Sequence, residues 1–139
     1  MKVIIKNFDC HRNNLTSLEG SPTEVTGHFD CSYNQLTSLE YGPQKIGTSY
    51  YCHNNQLETL HGSPRRVDNF YSYNNKLTSL EGAPSVVFED FDCSGNTLLV
   101  SLDGIPDIIG LDFSCMDCGK MFNKEEIVFL YDIKGKIYV

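Results

Sequence analysis

Phe29-Asp30-Cys31-Ser32-Tyr33-Asn34-Gln35-Leu36-Thr37-Ser38-Leu39-Glu40 decides the fold, because the rest of the chain copies it. The phrase is followed by a Gly42-Pro43 turn and Ile46, and it begins again at Tyr50-Tyr51-Cys52. Asn34 and Asn55 stand 21 residues apart, as do Leu36 and Leu57, and Cys31 and Cys52. A fixed period of this size is the mark of a solenoid, in which each repeat buries its apolar face only against its neighbours.

Working outward from that stretch, earlier and later copies fall into phase. The first repeat runs from Phe8 through Cys10, Asn13, Leu15 and Leu18 to Pro22. The third starts at Tyr50, the fourth at Phe70 with Ser72 in the cysteine slot, and the fifth at Phe91. The fifth stretches its leucine segment to Leu98-Leu99-Val100-Ser101-Leu102 and regains phase at Gly104 and Pro106, before Phe113-Ser114-Cys115 ends the series. Phe29, Cys31, Leu36 and Leu39 are expected to point inward, while Asp30 and Ser32 alternate with them on the outside of a short strand. Asn34 ends that strand, at the equivalent of Asn13, Asn55, Asn75 and Asn96. A side-chain amide there can both donate and accept, so a ladder of these residues would satisfy the backbone groups of a tight bend. Gly20/Pro22, Gly62/Pro64, Gly82/Pro84 and Gly104/Pro106 supply turns. In the second repeat Gly42 abuts Pro43 directly, and a different turn is expected there. No repeat holds a helix-length periodic segment, so the side opposite the strands should be extended or polyproline-like.

The spacing Phe29-x-Cys31-x-x-Asn34-x-Leu36-x-x-Leu39 resembles the leucine-rich-repeat consensus. The period and the wording Asn34-Gln35-Leu36-Thr37-Ser38-Leu39 are similar to the short repeats of bacterial secreted effectors, and to small leucine-rich-repeat proteins of bacteria and large tailed phages. Those effectors usually carry Leu-Pro-x-Leu-Pro at the bend, where this chain has Leu-Glu-Gly-x-Pro. The resemblance spans roughly residues 8 to 118. It implies a leucine-rich-repeat solenoid with a curved parallel β-sheet and a protein-binding concave face, and it implies no catalytic activity.

At 139 residues the chain is expected to be a single domain over 1–139, with a cap strand at 1–7, repeats at 8–118 and a C-terminal cap at 119–139. Residues 1–7 alternate around Val3 and Ile5 like a strand, suited to closing the first open edge. The tail reads as a helix-strand cap. Asn123 and Glu126 form a capping box, Ile127, Val128, Leu130 and Tyr131 make a buried face, and Gly135 and Lys134 mark the stop. Lys136-Ile137-Tyr138-Val139 follows as a terminal strand.

The net charge of −7 argues against a nucleic-acid partner, which needs a Lys/Arg surface. No run reaches the ~20 apolar residues of a membrane span, and the opening residues are too short and too soon charged for a signal peptide. A cytoplasmic location is expected, in the host cytoplasm if the chain is phage-encoded. Five of the six cysteines (Cys10, Cys31, Cys52, Cys93, Cys115) fall in one inward slot, as reduced packing residues and not as disulfide partners. Cys115-Met116-Asp117-Cys118 has the spacing of half a zinc site or a redox pair. However, Cys118 falls in the asparagine slot, where the repeat consensus accepts cysteine, and no second close pair supplies further ligands. His11 and His53 share one outward position two repeats apart, about 10 Å at ~4.8 Å per strand, too far to hold one ion. No metal, cofactor or catalytic residue is expected.

The candidate partner-binding residues lie on either side of the cysteine slot: Asp9 and His11, Asp30 and Ser32, Tyr51 and His53, Tyr71 and Tyr73, then Asp92, with Tyr33 one place later. Tyrosines and a histidine cluster on the middle turns with aspartates beside them, and rigid amphipathic aromatics are what interface hot spots favour. The plainer alternative is that neighbouring tyrosines stabilise one another across the sheet. The expected function is non-catalytic: holding or blocking a partner protein on the concave sheet, as a host-directed inhibitor or adaptor. The alternative is a structural role through the end strands or the convex side. The chain is expected to be a monomer or a weak edge-mediated dimer.

Overall fold

Each Phe-x-Cys phrase forms a strand of two or three residues, and the phrases stack in register. The computed structural model describes residues 4–139. Its strands, in chain order, are β1 (Phe8–Asp9), β2 (Glu24–Val25), β3 (Phe29–Asp30), β4 (Lys45–Ile46), β5 (Ser49–Tyr51), β6 (Arg66–Val67), β7 (Asn69–Tyr71), β8 (Val86–Val87), β9 (Phe91–Asp92), β10 (Ile108–Ile109), β11 (Phe113–Ser114), β12 (Asp132–Ile133) and β13 (Ile137–Tyr138). A single helix, α1 (Lys124–Leu130), lies between β11 and β12. The odd-numbered strands make one parallel sheet in the order β1-β3-β5-β7-β9-β11-β13. The chain is thus a parallel β-solenoid of about six turns.

The inward positions form columns along the stack. Phe8, Phe29, Tyr50, Phe70, Phe91 and Phe113 lie ring upon ring, with successive centroids 5.7, 5.0, 5.5, 5.7 and 6.1 Å apart. Beside them run Cys31, Cys52, Ser72, Cys93 and Cys115, all buried, and two columns of buried leucines that include Leu36, Leu57, Leu77 and Leu99, and Leu39, Leu60, Leu80 and Leu102. Each fully buried leucine or phenylalanine contributes about 1.5–3 kcal/mol by leaving water. The stretched fifth repeat keeps this register by inserting one residue. Leu99 and Leu102 are buried, while Leu98 and Val100 are pushed outside.

The second side is extended, as expected, but it is not a bare polyproline run. β2 pairs with β4, and β6, β8, β10 and β12 form a four-stranded parallel sheet. Stacking brings identical backbone segments to strand spacing, and their N–H and C=O groups then pair with one another instead of with water.

The expected asparagine ladder is present. Asn34 Oδ1 accepts from the N–H groups of Asn13 and Leu15, both at 2.9 Å, and its Nδ2 donates to Cys10 O and Cys31 O, both at 3.0 Å. Asn55, Asn75 and Asn96 repeat this, each tying its own turn to the preceding one. The residue just before the ladder position has a left-handed backbone in every turn: Arg12, Tyr33, Asn54, Asn74, Gly95 and Asp117, with φ between 53° and 68°. Asparagine, aspartate and glycine tolerate that region, while Arg12 and Tyr33 carry its steric cost.

The odd turn of the second repeat also has a structural reason. Gly20, Gly62, Gly82 and Gly104 are left-handed, and Tyr41 takes that place in the second repeat at φ 67°. The glycine moves one residue on, to Gly42, opposite the hydroxyl of Tyr50.

The two ends match the expected caps only in part: the tail has its helix and its terminal strand, β13, while other details differ. Residues 1–3 lie outside the described residues, so only part of the 1–7 strand can be placed, and residues 4–7 form no strand. They act instead as the corner of a preceding turn: Ile5 O and Lys6 O accept from Thr26 and Gly27 N–H, and Asn7 Oδ1 accepts from His28 N–H. At the other end, Asn123 caps α1 by accepting from Glu125 and Glu126 N–H. Only Ile127 of the helix is buried. Val128 and Leu130, expected inside, are exposed, because a seven-residue helix presents barely one side chain to the stack. The helix stops at Tyr131, whose N–H still bonds Ile127 O, and not at Gly135. Gly135 lies between β12 and β13, where a Cβ would collide with Asp112 and Leu111. The tail therefore supplies a further turn, since β12 joins β10 and β13 joins β11.

Candidate protein-binding face

Register places the outward residues of the long sheet in rows across the strands. One row reads Asp9, Asp30, Tyr51, Tyr71, Asp92, Ser114 and Tyr138, each residue paired with the next. Two residues further along each turn come His11, Ser32, His53 and Tyr73. All ten candidate residues belong to these rows or, for Tyr33, to the adjoining bend.

The central turns carry a continuous aromatic surface. Tyr51 and Tyr71 stack at 5.3 Å with ring planes 9° apart. His53 and Tyr73 stack at 4.2 Å and 8°. Tyr33 meets His53 edge-on at 5.4 Å, and Tyr51 meets it edge-on at 6.4 Å. The Arg12 guanidinium lies 4.5 Å from the centre of the Tyr33 ring, a cation–π contact that extends the cluster to the first turn. His28 joins from the opposite row, edge-on to Tyr51 at 6.1 Å. Sequence reasoning missed His28, although its place one residue before Phe29 gives it the same outward parity as Asp30.

Two candidate residues are less accessible than expected. Ser32 is 2% exposed, and its hydroxyl donates to Asp30 Oδ1 at 2.6 Å. His53 is 9% exposed, enclosed by the rings of Tyr33, Tyr51 and Tyr73, with its Nδ1 2.9 Å from Asn54 Oδ1. A side chain flanked by bulky neighbours at strand spacing loses its contact with water even on an outward face. His53 therefore acts as the packing centre of the cluster, and the tyrosines present its surface. Burial raises the Tyr71 and Tyr73 hydroxyls above the ordinary tyrosine range, helped at Tyr71 by Asp90 and at Tyr73 by Tyr33. Both stay neutral, able to donate and to accept.

The aspartates are held by local hydrogen bonds. Asp9 is paired with His11, whose side chain lowers the Asp9 carboxyl. Asp30 and Asp92 accept from the N–H groups of Ser32 and Ser94, each at 2.9 Å. Among the described residues, Asp9, His11 and Asp30 are the one set of three His, Cys, Asp or Glu side chains whose ligand atoms lie within 4.8 Å of one another. A second side-chain ladder, also missed, runs along the row one residue before the phenylalanines. Asn69 Oδ1 accepts from Asp90 N–H, Asp90 from Asp112 N–H and Asp112 from Lys136 N–H, at 3.1, 3.0 and 2.8 Å.

Cys118 occupies the asparagine slot, as its spacing suggests. Its thiol points to Cys93 O at 3.6 Å and Met116 O at 3.8 Å, replacing the amide of the other turns. Hydrogen bonding from Cys115 and Cys93 holds the Cys118 thiol down, while burial pushes Cys31, Cys52 and Cys93 up. All six cysteines are free.

Compared with family models, curated proteins and solved structures, the chain matches none. Among the described residues, no helix is long and apolar enough to cross a membrane.

Proposed function

We propose that this chain is a leucine-rich-repeat solenoid that binds a partner protein on the outward face of its long sheet, without catalytic turnover. The observation that carries this reading is the continuous set of rings formed by His28, Tyr33, Tyr51, His53, Tyr71 and Tyr73. Rigid aromatic side chains already fixed by their neighbours lose little entropy on association and supply large contact area. The aspartates around them form a polar rim that favours a basic partner and opposes acidic ones. No cofactor or metal enters this mechanism. The protein holds or blocks its partner by occupying it, in the manner of a host-directed inhibitor or adaptor of bacterial or phage origin acting in the cytoplasm.

Site-specific photo-cross-linking tests this reading. A benzophenone amino acid at Tyr71 should cross-link a defined protein in the native cell, and the same group at Arg66, on the opposite sheet, should not. Cross-linking from Arg66 alone would overturn it.

A second reading, assembly through the C-terminal end, is favoured by α1, where Phe129 is 86% exposed beside exposed Val128 and Leu130. In that case a cross-linker at Phe129 would capture the partner.

A further inference from the structure

Beyond the aromatic cluster, the same row of the sheet opens into a groove. Tyr71 and Tyr138 form its walls, and Asp92 and Ser114, on the two strands between them, form its floor. Three strand spacings separate the walls, about 14 Å between backbones. Asp90 and Asp112 line one side. Tyr71 stacks on Tyr51 by one face only, and Tyr138 makes no ring contact among the described residues, so both walls offer free aromatic surface to the groove.

All three carboxylates line the groove, and none has an ion partner among the described residues. Each uses one oxygen to accept a backbone N–H, of Ser94 for Asp92, of Asp112 for Asp90 and of Lys136 for Asp112, leaving the second oxygen free. Among the described residues the ion pairs are His11 with Asp9 and Lys134 with Asp132, both elsewhere. Lys136 neighbours Asp112 but makes no ion pair with it. Three aligned negative groups therefore face a concave, partly apolar space in a chain of net charge −7.

The kind of cation follows from the spread of these groups. Asp90, Asp92 and Asp112 do not bring their oxygens within 4.8 Å of one another, as the Asp9 set does, so they are too far apart to close on one metal ion. A planar organic cation suits them better. Guanidinium carries five N–H donors in a fixed fork, pairs with carboxylates through two bonds and stacks on tyrosine faces, whereas an ammonium offers a compact point charge. We infer that the groove between Tyr71 and Tyr138 seats an arginine side chain of the partner protein, an inference that rests on the long sheet being a protein-binding face.

The test is a titration of the isotope-labelled protein with acetyl-Gly-Arg-Gly-amide, followed by amide chemical shifts, with the lysine and citrulline peptides as comparisons. The arginine peptide should shift Asp92, Ser114 and Tyr138 at concentrations up to about 10 mM, where a single side-chain contact registers. Lysine should bind more weakly and citrulline, which lacks the charge, should not bind. Asp92→Asn and Asp112→Asn each keep the acceptor for their backbone N–H and should weaken the arginine peptide about threefold to tenfold. Asp107→Asn, at an exposed position just before β10 on the other sheet, should leave it unchanged. No shifts at this concentration, equal binding of arginine and citrulline, or shifts centred on Asp9 and His11 would overturn the inference. If Tyr71 cross-links a partner while the peptide fails, the face stands and the arginine groove falls. A peptide that binds where no partner is cross-linked leaves the groove and removes its protein context.

Discussion

The hydroxyl of Tyr50 occupies the space that a side chain at residue 42 would need: a Cβ on Gly42 would lie 2.7 Å from it. Tyr50 is the one tyrosine in a column of phenylalanines, and its buried hydroxyl has no hydrogen-bond partner among the described residues. The preceding repeat has lost the glycine of its left-handed turn and placed Tyr41 there. Gly42 and the Tyr50 hydroxyl thus share one space inside the stack.

This coupling is measurable by urea denaturation. Tyr50→Phe removes an unsatisfied buried hydroxyl and should stabilise the protein by about 1 kcal/mol or slightly more. Gly42→Ala should destabilise it by about 1–3 kcal/mol through overpacking. In the Tyr50→Phe background the alanine should cost clearly less. Strictly additive effects would mean that the two positions do not share the space.

The asparagine ladder makes a graded prediction. Asn55→Ala strands Leu36 N–H in the interior and takes one of two ladder bonds from each of the Cys31 and Cys52 carbonyls, which keep those of Asn34 and Asn75, so it should cost about 1–3 kcal/mol. Asn13→Ala loses one exposed bond to Cys10 O and should cost about 0.5 kcal/mol. Equal losses at the two sites would contradict a ladder whose strength comes from burial.

The leucine columns predict a larger effect. Leu36→Ala, at a fully buried position, should lose about 2–5 kcal/mol. Near-wild-type melting of that variant would remove Leu36 from the core.

Thiol reactivity should sort the cysteines. Cys118 is only half-buried and its thiol is held down by Cys115 and Cys93, so iodoacetamide should modify it first. Cys10, also half-buried, is pushed up to about 11 and should react much more slowly. Cys31, Cys52 and Cys93 should react only on unfolding. Peptide mapping over a time course reads this order directly, and early labelling of Cys31 would contradict the packing.

Register was legible in the sequence because every inward residue recurs in phase, so Phe29, Cys31, Leu36 and Asn34 predict their own partners one turn away. The candidate face was legible as a set of positions, since side-chain direction alternates along a strand. Accessibility was not, because it depends on the neighbouring turns: Ser32 and His53 are outward by parity and yet are enclosed by what stands beside them. The left-handed bend was masked by Arg12 and Tyr33, which stand where asparagine, aspartate or glycine marks the other turns. The ladder of Asn69, Asp90 and Asp112 was hidden by its mixed side chains, and the final turn by a helix inserted before β12.

The most direct measurement of the binding face is affinity capture from lysate of the native cell, comparing wild type with a variant carrying Tyr51→Ala, Tyr71→Ala and Tyr73→Ala. The three truncations remove outward rings and should cost the fold about 0.5–1.5 kcal/mol for each stacked pair lost, leaving it folded by circular dichroism. We predict a protein retained by wild type and lost by the folded variant. Equal retention by both would contradict the assignment of partner binding to this face.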